Sequence, residues 1–501
     1  MQFTEINFAL FLIAVFIIYW LMLRRWLFAQ NAFLLCASYL FYGWWDWRFL
    51  SLIMLTTLTT YVAAKYSGGK YGKLLTAGNI VLNIGILVVF KYLGFFLENA
   101  HRVLSALGCS TEYVTLDILL PVGLSFYTFQ AIAYSVDVYR HRIGPCTRLL
   151  DFATFIAYFP QLVAGPIERA SQLLPQISRE RQWNYAYAVS GLRMLLFGVL
   201  KKVCVANMLA LYADRLFECA DSPLYVVAAG VVFTLEIYFD FSAYSEIARG
   251  VSRLLGIELM ANFRFPYFSR NVLEFWRRWH ISLMWWFRDY VYIPLGGSRC
   301  RPYKTAGNIA VVFLLSGLWH GAAWNFVLWG LYWAFVFIVA KMVLKLPKRE
   351  DKIELSQLPQ IMLTWSVVCF GFYLFRCSQW EQVCRGFVYG WAFAALFFLC
   401  WGVSVVVCRN KRILSATCVS AVLGIVIVWV WLSPPWPLLL KAWWLVPALL
   451  VGVVEWKNRN NDCPTAVVSS RRWVRWSFYW ICMLLILLSE PVDMTFIYFQ
   501  F

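Results

Sequence analysis

Apolar runs close to 20 residues long recur from one end of this chain to the other. A run of about 20 residues is what an α-helix needs to cross a bilayer, where the backbone must bond within helices or closed barrels. Of the 501 residues, 62% are hydrophobic and only 14% are charged. That balance argues against a large soluble enzyme, because one or two ordinary cores could not bury so much apolar surface. The pattern predicts an all-α, polytopic membrane protein with about 11–13 transmembrane helices.

The basic residues cluster in short loops between the apolar runs. The formal net charge is +18, and Lys and Arg in short loops mark the cytosolic side of a membrane protein. The clusters Arg24–Arg25, Lys65–Lys73 and Arg140–Arg142 agree with one orientation, which places the N-terminus outside the cytosol. Topology therefore accounts for the charge without nucleic-acid binding. Membrane lipids are expected partners, with anionic headgroups on the basic face.

Two regions do not fit an ordinary span. Phe152–Gly165 is apolar but short and runs into two prolines, which favours a re-entrant or broken helix. Leu254–Tyr303 is rich in Arg, Trp and Tyr and is too polar to span, so we expect interfacial helices at or dipping into the cytosolic surface.

His320 lies inside an apolar run long enough to be membrane-embedded. An ionisable side chain at that depth is expensive and marks a candidate functional site. Gly317 and Gly321 leave room beside the imidazole, and Ser316 lies four residues earlier, on the same face of a regular helix. A neutral imidazole is the usual general base for a hydroxyl. The residues leave two interpretations open: a catalytic base, or a buried histidine satisfied by a neighbouring carbonyl.

His280 lies in a segment dense in arginine and tryptophan. Arg277, Arg278 and Arg288 form a cationic patch with tryptophans, including Trp279, between them. Composition alone favours interfacial anchoring. The alternative is an anion site for a phosphorylated donor.

Three further residues are candidates for supporting roles. Asp240 is an acid close to a membrane run, either a helix-end carboxylate at the interface or a structural group inside the active site. Ser316 and Asn325 bracket His320 in the same motif. No metal site is expected, because the chain has no C-x-x-C and no Cys/His cluster with zinc spacing. It also has no G-x-S-x-G, H-E-x-x-H or Walker A motif, which argues against a soluble hydrolase, a zinc protease and an ATPase.

Six motifs together resemble the membrane-bound O-acyltransferase family, and within it the bacterial alginate O-acetyltransferase-like branch. They are PVGLSFYTF (121–129), FPQLVAGPI (159–167), DFSAYS (240–245), EFWRRWHISL (274–283), FRDYVYIPLGG (287–297) and SGLWHG (316–321). The resemblance covers nearly the whole chain.

The resemblance implies both a fold and a reaction. It implies a ring of slanted helices around a central tunnel, with residues 1–345 as the catalytic membrane domain and 346–501 as further transmembrane helices of the same domain. His320 would be the catalytic histidine and His280 a second, more cytosolic one. An acetyl group would pass from cytosolic acetyl-CoA, with no tightly bound cofactor, towards a polysaccharide acceptor. The protein would reside in the bacterial inner membrane, with the N-terminus periplasmic and a periplasmic hydrolase-like acetyltransferase as partner.

Two rival functions stay open from the sequence. The chain could be a transmembrane acyl conduit or transporter in which His320 lines a pathway and the periplasmic partner does the covalent chemistry. It could also be a structural anchor for an export complex, in which case both histidines could be replaced without loss of activity.

Overall fold

The computed structural model describes residues 1–109, 119–163, 165–349, 351–395, 445–461, 471–489, 494, 496 and 497. The structure is 76% helical, with no strand among these residues, which confirms the all-α prediction.

Twenty α-helices are defined within the described residues. They are α1 Ile6–Ile17, α2 Leu27–Asp46, α3 Leu50–Lys65, α4 Gly72–Leu87, α5 Leu93–Ala106, α6 Leu124–Tyr139, α7 Leu149–Ala157, α8 Phe159–Leu162, α9 Ala170–Ile177, α10 Tyr185–Leu200, α11 Asn207–Glu218, α12 Pro223–Leu254, α13 Val272–Arg278, α14 Ile281–Phe287, α15 Pro302–His320, α16 Trp324–Ile338, α17 Leu358–Arg376, α18 Trp380–Val388, α19 Leu445–Asn458 and α20 Arg472–Leu488.

Within the same residues, five π-helical segments extend or join these helices. They are Ile18–Met22, Val88–Tyr92, Lys201–Ala206, Arg288–Tyr292 and Val339–Val343. Four of the five carry a charged side chain, and such widened turns are often found at functional sites.

Six helical segments of the described residues are long and apolar enough to cross a membrane. They are Leu27–Lys65, Gly72–Ala106, Tyr185–Glu218, Pro223–Leu254, Trp324–Val343 and Leu355–Arg376. These segments support a multi-pass membrane protein. The total of 11–13 spans stays a prediction, because residues 396–444, where further spans are expected, lie outside the described residues.

The two irregular regions are broken helices packed into the protein. In the first, α7 ends at Ala157 and the four-residue α8 begins at Phe159, with Tyr158 between them, and all three side chains are buried. In the second, α13 and α14 are seven residues each. Most of their apolar side chains, among them Phe275 and Ile281, are buried in the core, whereas Trp285 is exposed.

Close contact between α10 and α12 organises the middle of the fold. A Cβ added to Gly191 would lie 2.7 Å from the Gly250 carbonyl oxygen, and one added to Gly250 would lie 2.7 Å from the Gly191 carbonyl. Small residues at such a crossing let two helix backbones approach. The contact brings the π-helical segment after α10, which begins with Lys201 and Lys202, against the acidic residues of α12.

Lys201 joins the two predicted parts of the chain. Its ammonium, fully buried, lies 2.7 Å from Glu246 on α12 and 2.6 Å from Glu455 on α19. Tyr238 donates a 3.0 Å hydrogen bond to the same Glu455 carboxylate. The division into residues 1–345 and 346–501 stays a prediction, but this ion cluster shows that the two stretches pack together.

Candidate active site

The helix α15 ends at His320, inside the protein. Gly321 follows with an extended backbone, so the helix stops there. The His320 side chain is buried, and its imidazole meets the rings of Trp329 and Phe375 edge-on, at 5.2 and 5.1 Å between centroids. The walls around this imidazole are therefore largely aromatic.

Trp319 connects the two motif histidines. Its indole lies 4.9 Å from the His320 ring and 5.8 Å from the His280 ring, in T-shaped contact with both. His280 is also buried. The structure thus brings together two side chains that are 40 residues apart in the sequence.

Backbone hydrogen bonds on both sides fix the position of His280. The Arg264 N–H donates to the Arg278 carbonyl at 3.0 Å, and the Ile281 N–H donates to the Asn262 carbonyl at 2.9 Å. His280 lies between these bonds with φ 42° and ψ 54°, in the left-handed region. A non-glycine residue held there costs on the order of 1–3 kcal/mol, and such strain is concentrated at functional sites.

Side-chain hydrogen bonds reinforce the same loop. The Ser282 hydroxyl donates to the Asn262 side-chain oxygen at 2.6 Å and accepts from the Ile167 N–H at 3.1 Å. The Asn262 amide in turn donates to the Ser245 hydroxyl of α12 at 3.3 Å. The His280 loop is thereby bonded to the segment after α8 and to α12.

The glycines around His320 permit a close approach of two chain segments. A Cβ on Gly317 would lie 2.2 Å from the Phe326 carbonyl oxygen, and one on Gly321 would lie 2.0 Å from the Phe326 ring. The backbones of α15 and α16 are thus in direct contact beside His320. Ser316 is buried one helical turn before it.

Asn325 supports the site from α16. Its side-chain amide donates to the Phe375 carbonyl at 2.7 Å. Because the Phe375 ring contacts the His320 imidazole, this bond holds one wall of the site in place.

Asp240 lies in the middle of α12, so the helix-end interpretation was wrong. It is buried, its carboxylate lies 2.6 Å from the Lys202 ammonium, and it accepts a 2.8 Å hydrogen bond from the Ile497 N–H. Lys202 also lines a cavity. Phe496, another wall of that cavity, packs 5.9 Å from Phe241.

Phe241, which follows Asp240 on α12, contacts one of the two histidines. Its ring lies 4.7 Å from the His280 imidazole, edge-on. Asp240 accepts a hydrogen bond from the Ile497 N–H, and the neighbouring Phe496 packs against Phe241, so Asp240 holds a segment that contacts this side of the site.

Of the predicted donor-binding residues, the three arginines have exposed or partly exposed side chains, whereas Trp279 is buried. Arg277 is exposed and donates to the Arg349 carbonyl, while Arg278 pairs with Glu274 at 2.8 Å. Arg288, half-exposed, pairs with Asp289 at 2.7 Å.

Trp279 differs from these arginines in its exposure. It is buried among the rings of Phe263, Phe275 and Phe372. Its place suits a support for the loop better than a direct contact with a donor.

Sequence reasoning missed Lys91 and Tyr92. The Lys91 ammonium donates to the carbonyls of Trp319 and His320, at 2.7 and 2.8 Å. The Tyr92 hydroxyl donates to the Leu318 carbonyl at 2.7 Å. Lys91 interrupts an apolar run, so the rule that singled out His320 could have found it.

Chemically, the site offers two buried imidazoles in an aromatic environment. An imidazole of this kind can take the proton of a hydroxyl group as that group attacks an acyl carbon. Within the described residues, no group of three metal-binding side chains lies nearby.

Comparison with known proteins decides the family. The model of the MBOAT, membrane-bound O-acyltransferase family, matches residues 146–378. The chain is 36% identical to the "Probable alginate O-acetylase AlgI" of Azotobacter vinelandii over 72% of this chain and 73% of that one. This chain belongs to the membrane-bound O-acyltransferase family. The predicted family and the prediction that the protein is an O-acyltransferase are confirmed.

The names of other relatives of this O-acyltransferase refer to different acceptors. The chain is 31% identical to the "Peptidoglycan O-acetyltransferase" of Helicobacter pylori, over 70% of this chain and 72% of that one. It is 28% identical to the "Teichoic acid D-alanyltransferase" of Bacillus subtilis, over 51% of this chain and 68% of that one. The family match includes His280, His320 and Asp240 but not Lys91 or Glu455.

Proposed function

We propose that this O-acyltransferase moves an acetyl group from cytosolic acetyl-CoA towards hydroxyls of a cell-envelope or exported polysaccharide, alginate-like in chemistry. The observation that carries the proposal is the pair of buried imidazoles in contact with one indole, inside the stretch that matches the family. The names of the relatives support the acceptor class, since each acts on an envelope or exported polymer.

In the proposed reaction, His320 is the general base. Its imidazole takes the proton of the acceptor hydroxyl while the hydroxyl oxygen attacks the thioester carbon. The new C–O bond forms, the C–S bond breaks, and the proton passes to the departing CoA sulfur. His280 assists from the cytosolic side. Arg277, Arg278 and Arg288 are proposed to hold the phosphates of the donor, because guanidinium groups suit that geometry.

The proposed location is the bacterial inner membrane, with the N-terminus in the periplasm. Hydrogen bonds between basic ends of the helices support one cytosolic face. Trp20, close to Arg24–Arg25, donates to the Leu254 carbonyl, next to Arg253, at 2.9 Å. Arg459 donates to the Ile353 carbonyl, in the basic loop after α16, at 3.0 Å. A periplasmic hydrolase-like acetyltransferase is proposed as partner.

The test is acetyl-CoA turnover by the purified protein in detergent, with a hydroxyl acceptor and the partner present. We expect His320→Ala to leave only a small residual turnover and His280→Ala to reduce turnover. His101→Ala is the matched control, because it removes a histidine of α5 that has no place in the proposed mechanism. Each variant is first shown to be folded by its elution profile and thermal melt.

The results separate the candidate reactions. If His280→Ala raises KM more than it lowers kcat, its role is in donor binding; the reverse indicates catalysis. If the wild type releases no CoA under these conditions, the acetyl-CoA proposal is wrong. Acetylated polymer without CoA release by this chain would favour the acyl conduit.

A further inference from the structure

Lys91 is the only charged residue between Lys73 and Glu98. It lies in the π-helical segment Val88–Tyr92, between α4 and α5, within a segment long and apolar enough to cross the membrane. A lysine is expensive in such a place unless its ammonium finds partners. Its partners are the carbonyl oxygens of Trp319 and His320.

These carbonyls belong to the end of α15. The last four C=O groups of an α-helix have no partner within the helix, and they carry the negative end of its dipole. A lysine ammonium satisfies both needs at once. The Tyr92 hydroxyl binds the Leu318 carbonyl, so two adjacent side chains bind three consecutive carbonyls. The last of these belongs to His320.

The contact holds more than the helix end. The ammonium also lies 6.0 Å from the centre of the Trp319 ring, the indole that meets both histidines. Any shift of the Trp319–His320 backbone would move the His320 imidazole relative to His280. Lys91 therefore fixes the residue pair on which the spacing of the two imidazoles depends.

We propose that Lys91 is a positioning residue for His320. It acts through the backbone of Trp319 and His320, and Tyr92 has a lesser role. This inference rests on the proposed function of His320 as the base. Lys91 lies outside the part of the chain that matches the family model. The helices before residue 146 are thus part of the catalytic apparatus and not only a membrane anchor.

The test measures kcat and KM for acetyl-CoA in four variants of the full-length protein. Lys91→Met should lower kcat about 10- to 100-fold, since small displacements of a catalytic group have effects of that order. The KM for acetyl-CoA should stay within about two-fold of wild type, because the donor does not contact Lys91 in this proposal. Lys91→Arg keeps the charge and the N–H donors and should recover part of the loss. Tyr92→Phe, which loses one hydrogen bond, should lower kcat by less than about ten-fold.

Lys341→Met is the matched control. Lys341 also lies in a π-helical segment, but its ammonium binds the hydroxyls of Tyr292 and Ser298, at 3.1 and 3.0 Å. Loss of this lysine should leave kcat unchanged. An equal loss of kcat in Lys341→Met and Lys91→Met would overturn the inference, because it would reveal a general effect of removing a lysine from a π-helical segment.

Comparison of Lys91→Met with His320→Ala, singly and combined, distinguishes this inference from the proposed function. If His320→Ala keeps its turnover, the proposed function itself is wrong. If His320→Ala keeps only a small residual turnover while Lys91→Met matches wild type, only the positioning role of Lys91 is wrong. If Lys91 acts through His320, adding Lys91→Met to His320→Ala should leave the residual rate unchanged. A further proportional fall in that rate would contradict the inference.

Discussion

The ammonium of Lys202 and the carboxylate of Asp240 lie 2.6 Å apart in the helical core, and both side chains are buried. A buried ion pair is retained only where each charge has its partner, since an unpaired charge in a low-dielectric interior is very costly. Here the pair also receives the Ile497 N–H, so it fastens the end of the chain to α12.

Removing one charge of this pair should destabilise the protein more than removing both charges. Asp240→Asn and Lys202→Met should each lower the free energy of unfolding by about 3–5 kcal/mol, because each leaves one charge buried without its partner. The double variant should be more stable than the sum of the two losses predicts. Thermal or denaturant unfolding in detergent measures all three. Strict additivity would mean that the two charges do not interact.

Gly317→Ala should disrupt the active site through the contact of α15 with α16. The new Cβ would meet the Phe326 carbonyl at 2.2 Å, so the two helices must separate beside His320. We expect a loss of turnover of at least about ten-fold. Gly307→Ala is the control on the same helix, because its Cβ would meet nothing within 4 Å. Equal activity of the two variants would rule out the close packing.

Three substitutions at His280 should separate its backbone conformation from its imidazole. At φ 42° a glycine is unstrained, asparagine is tolerated, and alanine is strained. His280→Gly and His280→Asn should therefore be more stable than His280→Ala, by about 1 kcal/mol or more. All three lack the imidazole and should share one low activity. Thermal melts rank the stabilities of the three variants, and turnover assays compare their activities. If His280→Ala is as stable as the other two variants, the backbone at this position is not strained.

Glu274 predicts an acid limit to stability. Burial alone would raise the pKa of this carboxyl, but hydrogen bonds from Arg270 and the charge of Arg278 outweigh it and hold the pKa below its ordinary value of 4.5. A lowered folded-state pKa adds stability that is fully present above the unfolded pKa and is lost as pH falls through the folded one.

The melting temperature of the wild type should therefore fall more steeply below about pH 4.5 than that of Glu274→Gln, which has no carboxylate to protonate. Melts of both proteins between about pH 3 and pH 6 measure this difference. Parallel curves would show that the Glu274 ion pairs contribute nothing.

The helices and the two histidines could be predicted from the sequence because local patterns indicate both. Apolar length indicated the membrane helices, and short runs beside proline indicated the broken α7 and α8. The contact of His280 and His320 with one indole was not predicted, since nothing local relates residues 40 positions apart.

The partners of the buried charges could not be predicted from local patterns. Lys91 stands out as a lone charge in an apolar run, yet its acceptors are carbonyls more than 200 residues away. Likewise, the sequence around Asp240 does not reveal that Lys202 and the Ile497 N–H meet it. Such pairings arise from how the helices pack, and periodicity carries no information about them.

The Lys201 cluster has a consequence for how the protein is made. Lys201 is made 254 residues before Glu455, which belongs to α19. Because chains are made from the N-terminus onward, the Lys201 ammonium can pair with Glu246 before Glu455 exists. Completion of this cluster therefore requires α19, and a chain that lacks this helix would leave Lys201 with one carboxylate fewer.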